Sequence, residues 1–352
     1  MIYLVPDYYD RFACKCGDCR TPCCEGWRVS VSESEYFRLV GMDCPPDIRV
    51  SLDEALHVYD DATPIRYAEL GKTWTGDCHL HGSDGLCALQ VACGESVLPD
   101  VCRMYPRSVE GGEVGRMSCS NSCEGVVELL VSSPPFAVKA EERPLRPEID
   151  VGLTRERAEK MLRRIELFRA GDASCGERIA ALGAEFGMTR PRRDDDVLDV
   201  LTEMCATLGE VSASVRPYCE AARSRYADRA AYFNEARAFD AAYPYLSKGA
   251  ENIFANHMLE TCYPYDGRDE RAAYTALVAQ YALVRFMTVA NVAAGVDLPW
   301  SDTGRPVKAR PEDVIAAAFR MIEHTNFRHN ATLILGRLNA DDVRSLSALL
   351  AV

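Results

Sequence analysis

Five cysteines fall within eleven residues: Cys14, Cys16, Cys19, Cys23 and Cys24. No other feature limits the possible folds of this chain so strongly. Cysteine packs as a small hydrophobe, yet the neighbours here are Lys15, Gly17, Asp18, Arg20, Pro22, Glu25 and Gly26, with almost no other aliphatic side chains. Thiols gathered in a polar, turn-rich loop point to soft-metal ligands or disulfides rather than to core packing. A second group follows: Cys78, Cys87, Cys93, Cys102, Cys119 and Cys123. Together with Cys44, residues 1–125 carry 12 of the 16 cysteines.

The compartment bears on the choice between metal and disulfide. Met1–Val5 is too short for a signal-peptide apolar region, lacks a basic lead and runs into Pro6 and Asp7. The most apolar later run, 272–294, contains Gln280 and Arg285 and reads as a buried helix rather than a membrane span. A cytoplasmic, reducing location without membrane association is therefore predicted, where clustered cysteines serve as metal ligands rather than disulfides. The metal stays open at this point. Iron–sulfur clusters and structural zinc both use four thiolates, zinc usually through paired knuckles. Cys16-x2-Cys19 and Cys119-x3-Cys123 approach knuckle spacing, but the wide spacing of Cys78, Cys87, Cys102 and Cys119 is diagnostic of neither metal. Net charge is −13, of which residues 1–125 contribute −9. That balance argues against nucleic acid as the main partner and favours a basic target such as a lysine-bearing surface.

The length of 352 residues allows two domains or one large one. Residues 1–131 form a Cys-rich, irregular metal-binding region. Within it, Val29 and Val31 alternate with serines as a short strand, and Ser32 with Glu35 has capping-box spacing. Prolines at 134, 135, 144 and 147 mark 132–150 as a linker. Residues 151–352 read as an all-α domain. Apolar positions recur at helical spacing through Ala158, Met161, Ile165 and Phe168, and again through Val197, Leu201, Met204 and Leu208. Further helices are predicted over 217–242, 250–261, 271–294, from Pro311 onward, and over 340–351. The predicted fold class is mainly α: an irregular Cys-rich N-terminal region packed on an all-α helical domain.

The motif running from Phe12 and Ala13 through Cys14, Cys19, Cys23, Cys24, Glu25, Gly26 and Trp27 continues at Cys78, at Gly85-Leu86-Cys87, at Cys102-Arg103-Met104-Tyr105-Pro106-Arg107 and at Cys119. It resembles the flagellin lysine-N-methylase family, part of a wider group of zinc- or iron-chelating CxxCxxCC proteins. Glu251-Asn252-Ile253-Phe254-Ala255-Asn256-His257, followed by Tyr263-Pro264-Tyr265, is similar to that family's E-N-hydrophobic-x-N-Y … F-P-F segment, with His257 where the family more often has Tyr. Residues Tyr281 to Phe286 resemble its Y-A-L-x-K-F helix. The resemblance implies transfer of a methyl group from S-adenosylmethionine to lysine side chains of a flagellin-like protein. It also implies a [4Fe-4S] cluster, with zinc as the alternative metal. The shared cysteines, Cys14, Cys19, Cys23, Cys24, Cys78, Cys87, Cys102 and Cys119, are the implied metal ligands. Eight exceed the four that one cluster needs, so either a second metal is bound or some of them are not ligands. A different class of reading remains beside this one: a non-catalytic zinc- or iron-binding protein with a helical partner-binding domain.

Methyl transfer needs a neutral amine and a base to take its proton, and neither the base nor the cofactor site is visible. The nearest glycine-rich stretch, 111–115, reads as a turn between metal-site segments. Arg103 and Arg107 flank Cys102, where fixed cations would lower a thiol pKa. His79 and His81 read as neighbours of the ligands rather than ligands, and Trp27 and Trp74 as packing lids over the metal region. Cys175, Cys205, Cys219 and Cys262 read as core residues, and Asp194–Asp196 as a solvated helix start. Asn252 and Asn256, one helical turn apart, line a pocket or hydrogen-bond neighbouring helices.

Overall fold

The computed structural model describes residues 1–24, 29–74, 76–144, 149–188, 190–192, 197–210, 215–226, 228–265, 269–298 and 307–352. The expectations at Trp27 and Asp194–Asp196 lie outside the described residues. The chain forms two compact units, one built from Met1–Ala13 and most of the chain after Tyr105, the other from Cys14–Tyr105.

Strand β1 (Ile2–Pro6) opens the first unit, with its last four residues buried. The second unit then begins. Its strand β2 (Val29–Val31) buries both valines and leaves Ser30 out, as the alternation predicts. Helix α1 (Glu33–Gly41) starts on the predicted capping box, in which Ser32 accepts from the Glu35 N–H and Glu35 accepts from the Ser32 N–H at 2.7 Å. Helix α2 (Pro46–Ala55) follows, then β3 (Leu56–Thr63) and β4 (Arg66–Leu70), which order with β2 into an antiparallel sheet β2-β4-β3. Short helices α3 (Ala88–Cys93) and α4 (Asp100–Met104) complete the unit. Its core is Val29, Val31, Leu39, Ile48, Leu52, Ala55, Ala68, Leu70, Cys78, Leu80, Leu89 and Leu98, with Cys24 and Cys87 packed against it.

The chain returns to the first unit with β5 (Arg107–Gly112) and β6 (Gly115–Cys119), a tight hairpin. Helix α5 (Glu124–Ser132), β7 (Val138–Glu142) and β8 (Ile149–Leu153) follow. These strands and β1 form a five-stranded mixed sheet in the order β7-β1-β6-β5-β8. Pairing of β1 with β6 is parallel, through Tyr3 and Gly115, whereas β7 pairs with β1 antiparallel along its whole length.

The rest of this unit is helical: α6 (Arg155–Arg169), α7 (Cys175–Leu182), α8 (Val197–Gly209), α9 (Arg216–Arg223), α10 (Arg229–Ala242), α11 (Tyr245–Glu260), α12 (Glu270–Ala294), α13 (Pro311–His324), α14 (Phe327–Arg337) and α15 (Val343–Leu349). Helix α12 is apolar on nearly every face and sits at the centre, packed by α9, α10, α13 and α14. By length and composition it could cross a membrane, but 83% of its most apolar stretch is buried within the protein. It stops where Gly295 takes φ +60°, the left-handed cap that glycine adopts without strain.

The expectation of an all-α domain beside an irregular region is therefore corrected. The helices share their unit with the five-stranded sheet, and the Cys-rich region has a three-stranded sheet of its own. Val138–Glu142, read as part of a linker, is a sheet strand. The strands are short, and their pairings join segments far apart in the chain, so local periodicity does not reveal them. Asn252 ties α11 to this sheet region: its Nδ2 donates to Leu130 O at 2.9 Å and its Oδ1 accepts the Phe136 N–H at 2.8 Å. The 111–115 glycines make the hairpin and its contact with β8. A Cβ on Gly112 would stand 2.5 Å from the Leu153 backbone nitrogen and 2.6 Å from its oxygen. Gly112→Ala should therefore lower stability by about 1–3 kcal/mol in urea denaturation, as overpacking against backbone does. An unchanged midpoint would mean that β5 and β8 are not packed this way.

Candidate metal centre

Cys14 to Cys24 meet Cys78, Cys87 and Cys102 in the second unit. The chain turns sharply at Cys16, whose φ is +52°, and the Cys16 N–H donates to Cys14 Sγ at 3.3 Å. Gly17 then lies against Gly85 and Leu86, with Gly85 in the left-handed region (φ +78°). The Cys78 N–H donates to Cys24 O at 2.9 Å, and Lys72 Nζ donates to the same oxygen at 2.7 Å. Cys78 bridges to Lys72, and Cys87 bridges to His81, as isolated β-bridges. Loops with no regular structure of their own are thus laced together around the thiols.

The electrostatics show which thiols share one neighbourhood. The hydrogen bond that Cys24 donates to Cys23, burial, and the charges of Cys23, Cys78 and Cys87 push the Cys24 thiol far above its ordinary range. Cys102 is raised too, by desolvation of its sulfur and then by Cys78, Cys23 and Cys87, although part of the residue stays open to solvent; Lys72 opposes the shift. Burial raises Cys87, while the N–H groups of Gln90 and Leu89, at the start of α3, favour its thiolate. Burial also raises Cys14, with Cys16 and Cys23 beside it. Cys23, Cys78 and Cys87 thus act on both Cys24 and Cys102, which places the five thiols in one neighbourhood, and Cys14 joins it through Cys23. Thiols that resist ionising one by one become good ligands when a cation supplies the missing charge.

The remaining predicted residues fall differently. Cys19 is half-buried in the same unit. Cys119 belongs to the other unit, where burial pushes its thiol up to about 12 and Arg107 and Cys123 are its charged neighbours. Arg107 thus acts on Cys119 rather than on Cys102, where it was expected, with its Nη2 bonded to Phe12 O at 2.8 Å, whereas Arg103 pairs with Asp100 at 2.7 Å. His79 Nδ1 faces Glu54 at 3.9 Å, while His81 keeps a buried Nε2 without a hydrogen-bond partner. Trp74 is 97% exposed and covers nothing, which overturns its reading as a lid. Cys175, Cys205 and Cys219 are buried core residues, and Cys262 is half-buried.

The first unit holds a second concentration of polar groups, which the sequence reading did not identify. After β6 the chain turns through buried Ser120, Asn121 and Ser122. Asn256 holds this turn by donating to Cys119 O and Asn121 Oδ1, both at 2.8 Å, and its own Oδ1 accepts from Tyr8 at 2.6 Å. Both asparagines on α11 are therefore structural bridges. Glu323 reaches the turn from the end of α13, where its Oε2 accepts from the Ser120 hydroxyl and from the Ser122 N–H at 3.2 Å. Its Oε1 lies 3.3 Å from His257 Nδ1, which lies 3.9 Å from Glu260 Oε2. Burial pushes both carboxyls up to about 7, and the charge of Glu323 adds to the shift at Glu260. His257 and Glu260 stand at the i, i+3 spacing of one helix face, a signal present in the sequence; Glu323 is 63 residues beyond Glu260 and had none.

Two outcomes follow. Loading the reduced protein with metal should protect Cys23, Cys78, Cys87 and Cys102 from alkylation, read residue by residue by mass spectrometry, and leave exposed Cys16 reactive. Equal labelling with and without metal would rule this set out. For the glutamates, a folded pKa near 7 against a usual value near 4.5 means that the folded chain binds their protons more tightly. Their stabilising contribution is complete below about pH 4.5 and is lost as pH rises through about 7. With EDTA present, the wild type should lose stability over that interval relative to Glu323→Gln. An opposite slope would contradict the placement of these carboxyls.

No protein-family model matches the chain. No solved structure matches it either. Two curated proteins named lysine-N-methylase do, from Salmonella typhimurium strain LT2 and Salmonella choleraesuis strain SC-B67. Their identities are 23% and 22% over 139 residues, which cover 39% of this chain and 34% of each relative. The match spans about a third of the length of those relatives. The chain is distantly related to the lysine-N-methylases.

Proposed function

We propose that this chain is a protein lysine N-methyltransferase that uses S-adenosylmethionine and carries a [4Fe-4S] cluster on the thiols of its second unit. The observation that carries the activity is the 139-residue similarity to two lysine-N-methylases. Supporting the metal is the single neighbourhood shared by Cys23, Cys78, Cys87 and Cys102, four thiolates being what one cluster requires. These four are the proposed ligands. Cys24, hydrogen-bonded to Cys23, and Cys14 lie beside them as supporting thiols.

A cluster so held would supply a redox-active iron centre whose potential depends on nearby charge and hydrogen bonds. The chain's own residues provide both. The Leu89 and Gln90 N–H groups point to Cys87, and the Lys72 ammonium acts on Cys102 while anchoring Cys24 through its carbonyl. In the reaction, a lysine ammonium first gives up its proton. The neutral amine then attacks the sulfonium methyl, forming the N–C bond as the S–C bond breaks and leaving a neutral thioether. Net charge of −13, concentrated in the first 125 residues, favours a partner that presents exposed lysines, such as a flagellin-like surface protein in the cytoplasm before export.

The test is direct. The reconstituted chain is incubated anaerobically with S-adenosylmethionine and a lysine-rich flagellin, and lysines are read by mass spectrometry. Lysine methylation should appear with the wild type and drop at least tenfold with Cys87→Ser. If no lysine gains a methyl group while metal is bound, the protein is a metal-binding partner protein instead.

A further inference from the structure

The polar cluster of the first unit has the makings of a site in its own right. His257 and Glu260 lie one turn apart on α11, and Glu323 meets them from α13. One ligand atom from each falls within 4.8 Å of the other two, the only such grouping of three among the described residues. Glu260 Oε2 is buried and has no hydrogen-bond partner, although it faces His257 Nδ1. A buried carboxylate oxygen left without a partner is costly and calls for a compensating donor or cation. Arg116 and Arg328 lie within electrostatic range of Glu260, but neither hydrogen-bonds its Oε2; Arg116 Nη1 donates to Leu259 O at 2.6 Å and its Nη2 pairs with Glu110.

The surroundings are those of a supported ligand set. Glu323 is tied through Oε2 to Ser120 and Ser122, which leaves Oε1 turned toward His257. Phe319 meets the His257 ring edge-on, with centroids 5.3 Å apart. Ligands held by outer hydrogen bonds and packing in this way are a hallmark of metal sites. The side chains of His257 and Glu323 are 3% and 2% exposed, and Glu260 at 22% leaves a route to solvent.

We propose that His257, Glu260 and Glu323 bind one divalent first-row transition-metal ion. One imidazole nitrogen and two carboxylate oxygens suit Mn2+, Fe2+ or Zn2+, and the site has no soft sulfur donor in its ligand set. It is separate in donor chemistry from the thiols and does not rest on the methyltransferase reading.

Mn2+ is the probe, because thiolates hold it poorly whereas imidazole and carboxylate hold it well. The EDTA-treated full chain is titrated with Mn2+, and free ion is followed by electron paramagnetic resonance. The wild type should bind one equivalent, weakened at least tenfold by His257→Tyr, Glu260→Gln and Glu323→Gln, and unchanged by Cys87→Ser. Glu260→Gln is nearly isosteric and partly exposed, so it preserves the fold, which circular dichroism verifies. Binding that disappears with Cys87→Ser would overturn the proposal. So would wild-type binding no stronger than that of Glu260→Gln, which would leave a proton-sharing His–Glu pair only.

Discussion

Thiolates repel one another, and removing them from water makes each harder to form. The second unit does both to Cys24, Cys87 and Cys102, with Cys23 and Cys78 as their neighbouring thiols. Without a cation Cys24 and Cys87 stay protonated and pack as small apolar groups against the core of Leu80 and Leu89. With a cation they bind together loops that have little regular structure of their own. The backbone is arranged for the second state. Gly17 can approach Gly85 and Leu86 because neither glycine has a Cβ in the way, and the Cys24 carbonyl takes both the Cys78 N–H and the Lys72 ammonium. The small sheet and α1 form a scaffold whose capping box and alternating valines need no metal to be favourable.

The first unit is held by a different constraint, the burial of polar groups that must find partners. The turn Ser120–Ser122 carries a row of them, and Asn256, Tyr8, Arg320 and Glu323 converge on it from distant parts of the chain. Such a network is rigid when satisfied and costly where a partner is missing. One gap among the described residues, at Glu260 Oε2, sits beside an imidazole and a second carboxylate. The unit is thus tightly specified around a place where one more positive charge would fit.

Local signals in the sequence are legible where a few adjacent residues suffice. Ser32 with Glu35, Val29 with Val31, and Pro311 each announce a feature that depends on a few adjacent residues, and each appears as expected. The long apolar run around Tyr281 became the central helix. What the sequence concealed was long-range. Tyr3 pairs with Gly115, and Val138–Glu142, placed between prolines, completes the edge of the same sheet. In the site, cysteine spacing pointed to a metal region but not to the grouping of five thiols, which depends on how loops fold back. Glu323 was invisible because nothing around it in sequence marks it, and it matters only through α11 beside it.

These features give the thiol set the central place in the account. The proposed activity rests on the distant relation to lysine-N-methylases, and the proposed cluster on the shared neighbourhood of Cys23, Cys78, Cys87 and Cys102. The most direct measurement is iron and acid-labile sulfide per chain in anaerobically isolated protein. The account predicts equal amounts, about four of each. Stoichiometric zinc with no sulfide would contradict it.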